Sequence, residues 1–353
     1  LNVVLMPKSI GRYRLRSRLG SGGMAEVYLA SMATSGVEKL VVVKQILPGQ
    51  LSDAARSMML DEARLGLQLR HQNIVQTLDA GDYEGRPFVA LEYIEGVDLR
   101  RLERWTEGMG KPLSSQAAAY IGAELMAGLD YAHRAQSPAG EPLEIIHRDV
   151  TPDNVLLSVE GEVKLSDFGI ARASSRTTRT TTGGIKGKLR YMSPEQLDAK
   201  PVGQRADLFA AAVTLYELFS GSAPYGSESE FEALRRLECG DHTPLAELRS
   251  DLPAPLCSVI EEALSPDPEG RPATASVMLR VLEGHVGDRR AAVQEVASAV
   301  RAARTAIAGE PPANQRLEDL IVAGDSSWTS LDHAPPTQTS SLDHAPPTGV
   351  VRK

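Results

Sequence analysis

Two polar strings near the middle of the chain constrain its architecture more than any other feature. Residues 147–157 read HRDVTPDNVLL, and residues 163–169 read VKLSDFG. In both, short apolar runs predict strands, and Asp149, Asn154 and Asp167 fall in the loops at their ends. Such loops can bring two acids and an amide together as hard oxygen ligands for Mg²⁺, with a carboxylate near an acceptor hydroxyl. The strings therefore predict one site assembled from neighbouring strand ends.

A glycine-rich stretch near the N-terminus predicts a phosphate-binding loop. Residues 20–25 read GSGGMA, and glycine lets backbone amides approach a phosphate without a Cβ in the way. Many hairpins are equally glycine-rich, so the stretch alone is a weak signal. Because the following segment, 26–30, is strand-like, a loop that must run into a helix does not fit. A loop folded over phosphates between two strands fits better.

Lys44 and Glu62 form a candidate ion pair. Lys44 directly follows the apolar run 41–43 at the end of a predicted strand, and Glu62 lies on the polar edge of a helix predicted over residues 54–69. A lysine on the inner face of a strand requires an anion, and Glu62 supplies one. The alternative is an unpaired lysine at an exposed strand end.

Hydrophobic periodicity divides the chain into a strand-rich and a helix-rich part. Residues 13–93 combine short apolar or alternating runs with the one helix, which predicts a small, mainly antiparallel sheet. The predicted strands cover 13–19, 27–30, 40–43, 75–79 and 88–93. After Asp98 helical patterns dominate. The predicted helices cover 116–133, 206–220, 228–239, 256–264, 276–283 and 288–308.

In this order, the motifs resemble the eukaryotic-like serine/threonine protein kinases of bacteria. The resemblance runs from Tyr13 to Glu283. It implies an α+β, two-lobed protein kinase fold, with an N-lobe over 13–93 and a C-lobe over 94–283. It also implies ATP and Mg²⁺ as cofactors and Ser/Thr hydroxyls of proteins as acceptors.

The resemblance assigns roles to the polar residues. Asp149 would be the catalytic base, and Asn154 and Asp167 would be the Mg²⁺ ligands. Lys44 would hold the α- and β-phosphates with Glu62 as its partner. The residues implied in nucleotide binding, which include the lid over the phosphates and the adenine hinge at 91–94, are Leu19, Gly20, Ser21, Gly22, Gly23, Met24, Ala25, Val27, Lys44, Glu62, Glu92 and Ile94.

Two further contacts are implied in the C-lobe. Glu195, in the string SPE at 193–195, would close the activation segment by pairing with Arg271. Asp207, near the start of an apolar helix, would brace the backbone of the catalytic loop. In each case the alternative is an ordinary surface charge.

The chain departs from the family pattern at several positions. Ala25 replaces the third glycine of the lid, Val42 replaces the usual alanine above the adenine, and residues 135–144 form an insert that we interpret as a surface loop. The lysine expected in the catalytic loop is Thr151, and the threonine expected in the activation segment is Lys188. We therefore count both as catalytic candidates, with Lys188 supplying the cation and Thr151 the hydroxyl. The alternative is that Lys188 points to solvent.

Two rival functions remain open. A pseudokinase would keep the fold without turnover, but only the change at Thr151 favours it. A small-molecule phosphotransferase can share the catalytic loop, yet the long segment 167–195 and the pairing of its end with Arg271 favour a protein acceptor. The hydroxyl-rich stretch 174–182 predicts self-phosphorylation in trans, because a phosphate there could pair with Arg148.

Composition and the chain ends bound the partners. With 38 basic and 46 acidic residues among 353, the formal charge is −8, which disfavours nucleic acid as a partner. Cys239 and Cys257 are read as reduced thiols, and no apolar run reaches the ~20 residues that span a bilayer. We expect a cytoplasmic protein that acts in bacterial signal transduction.

Three segments flank the catalytic domain. Residues 1–12 are assigned to an N-terminal extension and 284–308 to a trailing amphipathic helix. Residues 309–353 are rich in Pro, Ser and Thr and repeat the octapeptide SLDHAPPT at 330–337 and 341–348. Such a composition cannot bury enough apolar surface to offset the entropy of ordering, which predicts a disordered linker.

Overall fold

The computed structural model describes residues 8–21, 25–168, 189–226 and 229–306. Its N-terminal part is an antiparallel six-stranded sheet in the order β1-β2-β3-β4-β6-β5. The strands are β1 (Ser9–Ile10), β2 (Tyr13–Ser21), β3 (Ala25–Thr34), β4 (Val37–Ile46), β5 (Thr77–Tyr83) and β6 (Arg86–Glu92). Strand β1, which we had placed in the extension 1–12, belongs to this sheet because Ser9 pairs with Arg14.

The hairpin β3–β4 places Lys44 at the centre of the sheet. Its register runs without interruption from Ala25 opposite Ile46 to Thr34 opposite Val37, and Ser35 and Gly36 turn the chain with φ of 52° and 81°. Positive φ at both turn residues matches the right-handed twist of the strands. The β2–β3 pairing is irregular at two places, between Leu15 and Ser17 and between Arg18 and Gly20, and the latter lies just before the glycine-rich loop.

One helix, α1 (Asp53–Gln68), packs on the sheet. Its N-cap is Ser52, whose hydroxyl accepts a hydrogen bond from the Ala55 amide at 3.1 Å. Ala55, Met59 and Ala63 are its buried residues, and they join Ile46 and Val89 of the sheet in one small cluster. The spacing of four between the buried positions produces a single narrow apolar face.

The C-terminal lobe is helical around one continuous core. Its helices are α2 (Leu99–Gly108), α3 (Ser115–His133), α4 (Pro194–Leu197), α5 (Gln204–Ser220), α6 (Glu230–Cys239), α7 (Leu245–Leu248), α8 (Ala254–Ala263), α9 (Ala275–Val286) and α10 (Arg289–Ala306). Helix α5 is buried over nearly its whole circumference, as expected for a helix at the centre of a lobe. Helix α2, which the sequence analysis did not single out, packs on the same core through Leu99 and Leu102.

A small sheet between the lobes carries the two polar strings. Its strands are β7 (Gly96–Asp98), β8 (Val155–Ser158) and β9 (Val163–Leu165), all antiparallel. Asn154 directly precedes β8, and Asp167 follows two residues after β9. Because Val155 pairs with Leu165, the two loops meet at one end of the hairpin.

The remaining predictions have mixed outcomes. The insert 135–144 is a loop closed by a bridge between Gln136 and Pro142. Helix α9 runs to Val286, past the boundary predicted at 283, and α10 covers 289–306 of the segment 284–308 that was predicted as a trailing helix. The linker 309–353 lies outside the described residues. In the part of the chain that the structure describes, no helix is both long and apolar enough to cross a bilayer.

Candidate active site

A buried carboxylate of α5 holds the backbone of the catalytic loop in place. Asp207 of α5 accepts hydrogen bonds from the main-chain N–H of His147 at 2.8 Å and of Arg148 at 2.7 Å. It also lies 2.8 Å from Nε2 of His133. Arg148 adopts a φ of 66°, a strained conformation for a residue with a side chain. The predicted bracing role of Asp207 is therefore confirmed, and it stabilises a backbone turn that is costly by itself.

His147 connects the two polar strings. Its Nε2 lies 2.9 Å from the carbonyl oxygen of Ser166, and its Nδ1 accepts a hydrogen bond from the Asp149 N–H at 3.3 Å. Burial lowers the pKa of His147, which favours the neutral ring with the proton on Nε2. The ring also packs on Phe168, with centroids 4.5 Å apart. These contacts fix Asp149 relative to the segment that contains Asp167.

Asp149 and Asn154 lie in direct contact. The Asn154 amide nitrogen donates to the main-chain oxygen of Asp149 at 2.7 Å and to its carboxylate Oδ2 at 3.1 Å. The amide therefore uses its nitrogen within the protein and keeps its oxygen as a ligand atom. Asn154 is buried and is the last residue of the 3₁₀ turn Pro152–Asn154, which fixes the position of its side chain.

Lys44 lies between two carboxylates. Its Nζ is 3.4 Å from Oε1 of Glu62, the predicted partner, and 3.2 Å from Oδ1 of Asp167, which the sequence did not predict as a partner. Burial opposes the charge on the ammonium, but attraction to Asp167 and Glu62 outweighs burial and raises the pKa of Lys44. Burial raises the pKa of Glu62, and Lys44 only partly offsets this. The lysine is therefore charged throughout the physiological range.

The charges of the cleft fit a magnesium–nucleotide complex. The ammonium of Lys44 contacts the carboxylates of Glu62 and Asp167, while the carboxylate of Asp149 accepts a hydrogen bond from Asn154, so carboxylates outnumber the ammonium among these groups. The Asp167 side chain is 48% exposed and has a φ of 55°. A hard divalent cation takes carboxylate and amide oxygens together with phosphate and water, so Asp167 and Asn154 are suitable ligands.

The residues assigned to nucleotide binding come from both lobes, and the structure describes most of them. Leu19 is buried at the end of β2 just before Gly20, and Val27 of β3 pairs directly with Lys44. Ile94 is buried with Leu156 in a small cluster on the C-lobe side. Ala25 is buried against the α1 cluster. Gly22, Gly23 and Met24 lie outside the described residues, as does the side chain of Ser21.

The Glu92 side chain is engaged away from this pocket. Its Oε1 accepts hydrogen bonds from the Gln76 N–H at 2.8 Å and from Nζ of Lys164 at 3.0 Å. These partners belong to the start of the β5–β6 hairpin and to β9. The main-chain N–H of Glu92 also donates to the carbonyl oxygen of Gln76 at 3.0 Å. The assignment of Glu92 to nucleotide binding therefore stays a prediction.

Thr151 is buried with an unsatisfied hydroxyl. It is 1% exposed, and its Oγ1 has no hydrogen-bond partner among the described residues. A buried hydroxyl without a partner is destabilising, which indicates that its partner comes from outside this set. Lys188, the predicted partner, lies outside the described residues.

The end of the activation segment is anchored as predicted. Arg271 donates to Glu195 through two nitrogens, at 2.8 and 2.9 Å, and both side chains are buried. Sequence analysis missed Gln196, whose amide nitrogen donates to the carbonyl oxygen of Arg148 at 3.1 Å. This bond joins α4 to the catalytic loop, and no periodicity or charge pattern could have identified it.

A second missed group lies behind the catalytic loop. Tyr191 donates to Glu217 of α5, and Arg100 of α2 contacts both. Burial raises the pKa of Glu217, and the charges of the nearby Arg190 and Arg100 only partly offset this effect. These three residues come from separate parts of the chain, so their proximity depends on the tertiary fold.

Comparisons with known proteins agree with this geometry. Residues 13–281 match the sequence model of the protein kinase domain. The tyrosine-protein kinase MasK of Myxococcus xanthus is 38% identical over 275 residues, which cover 77% of this chain and 43% of MasK. The serine/threonine-protein kinase PrkC of Bacillus subtilis is 32% identical over 270 residues, which cover 76% of this chain and 39% of PrkC.

Further relatives show the same pattern. A probable serine/threonine-protein kinase PknB of Bifidobacterium longum is 33% identical over 286 residues, covering 77% of this chain and 39% of the relative. The PknI kinase domain of Mycobacterium tuberculosis superposes with a TM-score of 0.58 at 25% identity, covering 79% of this chain and 99% of that structure. The chain thus spans about two fifths of the curated relatives' length. It belongs to the family of bacterial eukaryotic-like serine/threonine protein kinases.

Proposed function

We propose that this protein transfers the γ-phosphoryl group of ATP to Ser and Thr hydroxyls of proteins. The observation that carries the proposal is the position of Lys44 between Glu62 and Asp167, in the same cleft as the Asp149–Asn154 pair. A surface lysine would need no such pair of carboxylates. Family membership supports ATP and a divalent metal, usually Mg²⁺, as the cofactors.

Each polar residue of the cleft has a distinct task in this proposal. Lys44 binds the α- and β-phosphates, and Glu62 holds the lysine in place. Asp167 and Asn154 hold Mg²⁺, which neutralises charge on the phosphates when bound. Asp149 orients the acceptor hydroxyl and accepts its proton, while Asn154 keeps the Asp149 carboxylate in position. Positioning and charge neutralisation therefore provide most of the rate acceleration.

The acceptor class is the finer part of the proposal. PrkC and PknB are named serine/threonine kinases, whereas MasK is named a tyrosine kinase. The catalytic loop of this chain reads HRDVTPDN and lacks the Ala-Ala-Arg run of tyrosine kinases. We therefore favour Ser and Thr, with tyrosine phosphorylation as an outcome that the test must be able to detect.

Self-phosphorylation in trans is proposed as the activating event. The hydroxyl-rich stretch 174–182 lies outside the described residues. Arg148, which would receive the phosphate, is held by Asp207 and Gln196 through its main chain. Its side chain is therefore not needed to hold the loop and is available to bind a phosphate. We place this switch in bacterial signal transduction, and location in the cytoplasm stays a prediction.

One experiment tests these assignments together. The purified protein is incubated with labelled ATP and Mg²⁺, with and without a generic protein acceptor, alongside the Asp149→Asn variant. Phosphoserine or phosphothreonine on the acceptor, absent with the variant, supports the proposal. Nucleotide binding without transfer would establish a pseudokinase, phosphotyrosine alone would overturn the acceptor class, and transfer only to small molecules would overturn the protein acceptor.

A further inference from the structure

A compact group of charged side chains lies beside the catalytic loop, and none of the tasks proposed above uses it. Three carboxylates belong to the group, and they come from α2, from the catalytic loop and from α5: Glu103, Asp153 and Glu217. Two guanidinium groups lie against them, those of Arg100 and Arg190. The group therefore joins three parts of the C-lobe to the end of the activation segment.

Arg100 is at the centre of this group. Its side chain is only 14% exposed, and its nitrogens lie 3.2 Å from Oε2 of Glu103, 3.4 Å from Oε2 of Glu217 and 3.8 Å from Oδ2 of Asp153. It also donates to the Tyr191 hydroxyl, and its guanidinium carbon lies 5.6 Å from the centre of that ring. Acids and an aromatic ring are the partners that a planar guanidinium prefers. The chain itself thus shows which chemistry this pocket takes.

The pocket lies beside the place where a protein acceptor has to bind. Asp153 follows four residues after Asp149 in the same loop, and Arg190 belongs to the 3₁₀ turn Leu189–Tyr191 at the end of the activation segment. Because the acceptor hydroxyl must reach Asp149, the neighbouring residues of a protein substrate pass close to this loop and this turn. Asp153 and Arg190 are 30% and 38% exposed, so one edge of the group is open to such a chain.

The charges within the pocket balance without a substrate. Oε1 of Glu103 is buried and has no hydrogen-bond partner among the described residues. Burial raises the pKa of Glu103 to about 8, and the charge of Arg100 only partly offsets this effect. Glu103 therefore holds a proton near neutral pH, which leaves Asp153 and Glu217 to balance the two arginines. No charge remains in the pocket to attract a further basic side chain.

We propose that Arg100 is a specificity-determining residue, because it fills from within the chain an acidic pocket that would otherwise take an Arg or Lys side chain of the protein acceptor. The protein then phosphorylates Ser and Thr without requiring a basic residue nearby. The effect on acceptor choice rests on the proposed function. The affinity of the pocket for a guanidinium group does not.

A set of peptide pairs tests the effect on acceptor choice. Each peptide has one Ser or Thr acceptor, and each flanking position in turn is either Ala or Arg. Wild type should give kcat/KM values within about threefold for every pair, whereas Arg100→Ala should favour Arg at one position by about tenfold or more, because the substrate cation enters the vacated pocket. Arg104→Ala is the matched control: Arg104 is an exposed arginine of the same helix, and this variant should keep the wild-type profile.

Two further measurements separate this role from a merely structural one. Adding Asp153→Asn to Arg100→Ala should reduce the acquired preference severalfold, because one carboxylate of the pocket is lost. Methylguanidinium at millimolar concentration should refill the pocket in Arg100→Ala and suppress the preference. If Arg100→Ala lowers kcat/KM equally for both members of every pair, the proposal is overturned. A wild-type preference for Arg of tenfold or more would overturn it too, since the pocket would then be open to the substrate.

A measurement without phosphate transfer distinguishes this inference from the proposed function. Methylguanidinium chloride, compared with equal sodium chloride, should raise the melting temperature of Arg100→Ala and leave wild type and Arg104→Ala unchanged. Should Arg100→Ala not fold, Arg100→Gln retains part of the side chain and should show the same preference, by about threefold or more. Transfer by wild type, together with a flat profile in the Arg100 variants, overturns the inference alone. A wild type that transfers no phosphate overturns the proposed function, and the melting temperatures then decide whether the pocket takes a guanidinium group.

Discussion

The C-lobe and the cleft differ in how completely the protein hydrogen-bonds a cationic side chain. In the C-lobe, Arg271 is buried and donates to both oxygens of Glu195 and to the carbonyl oxygens of Ser265, Pro266 and Arg205. In the cleft, Lys44 contacts two carboxylates of the described residues, at 3.2 and 3.4 Å, and the Asp167 side chain is half exposed. The first cation is fully hydrogen-bonded by the protein, whereas the second lies where a ligand can reach it.

The apolar cores of the two lobes also differ in size and continuity. The C-lobe has one continuous cluster that reaches from α2 to α10, while the N-lobe sheet carries two small clusters, one on each face. A continuous core with satisfied polar groups provides a fixed frame. The buried Arg271–Glu195 pair therefore serves stability, whereas the charges of the cleft are placed for a ligand.

The largest expected effect is the loss of activity in the cleft. Asp149→Asn should lower kcat by about a thousandfold or more, ~4 kcal/mol in the transition state, because the acceptor proton loses its base. Lys44→Met should also abolish transfer. Both variants should melt within a few degrees of wild type, since the two side chains are only partly buried and lie outside the apolar clusters of the lobes. Residual Asp149→Asn activity within about tenfold of wild type would refute the base assignment.

The next largest effect is the loss of stability in the C-lobe. Arg271→Met should lower the free energy of unfolding by about 3 kcal/mol or more, because the Glu195 carboxylate would stay buried without a partner. Urea denaturation measures this, and Glu195→Gln in the same chain should recover part of it. Arg235→Met, in an exposed pair with Glu232, is the matched control and should leave the unfolding midpoint unchanged. A loss no greater than that control would break the comparison.

Thr151 is neither a hydrogen-bonded buried group like Arg271 nor an accessible charge like Lys44. Its hydroxyl is as buried as Arg271 yet has no partner among the described residues. If Lys188 supplies the transition-state cation beside it, Lys188→Ala should lower kcat by roughly ten- to hundredfold, the value of a charge-assisted hydrogen bond. Thr151→Lys with Lys188→Thr should recover much of what Lys188→Thr alone loses. Additive single effects would mean that the two positions are not coupled.

The sequence predicted those parts of the site that are local in the chain. Asn154 and Asp167 are separated by one hairpin, so their spacing alone places them together. Lys44 and Asp167 are 123 positions apart, and their contact depends on how the lobes meet. The direction of the Glu92 side chain was not predictable either, because it depends on the pairing of β6 and on Lys164 of another sheet.

The same distinction holds for the fold. The alternating strands were predictable from their periodicity, and α3 and α5 from the length of their apolar runs and the Gly or Pro residues that flank them. Helix α2 was missed because its ten residues, LRRLERWTEG, include five charged side chains and only two buried leucines. A local pattern was nevertheless present, because Leu99, Leu102 and Trp105 recur at a spacing of three and pack on the C-lobe core.

The smallest expected effect lies at the junction of the two lobes. Arg304, at the end of α10, forms an ion pair with Glu95, the residue after Ile94, and both side chains are about half exposed. Such a pair is screened by water and salt, so Arg304→Ala should change the free energy of unfolding by about 0.5 kcal/mol or less and the KM for ATP by less than twofold.

A buried position on the same helix provides the contrast. Val296 of α10 is fully buried, and Val296→Ala should cost about 1 kcal/mol or more in urea denaturation while leaving the KM for ATP unchanged. If Arg304→Ala instead raised the KM for ATP severalfold, a charge outside the cleft would be setting nucleotide affinity through Glu95. Helix α10 would then affect both the stability of the C-lobe and nucleotide binding, which would contradict the separation between a rigid C-lobe core and the charges of the cleft.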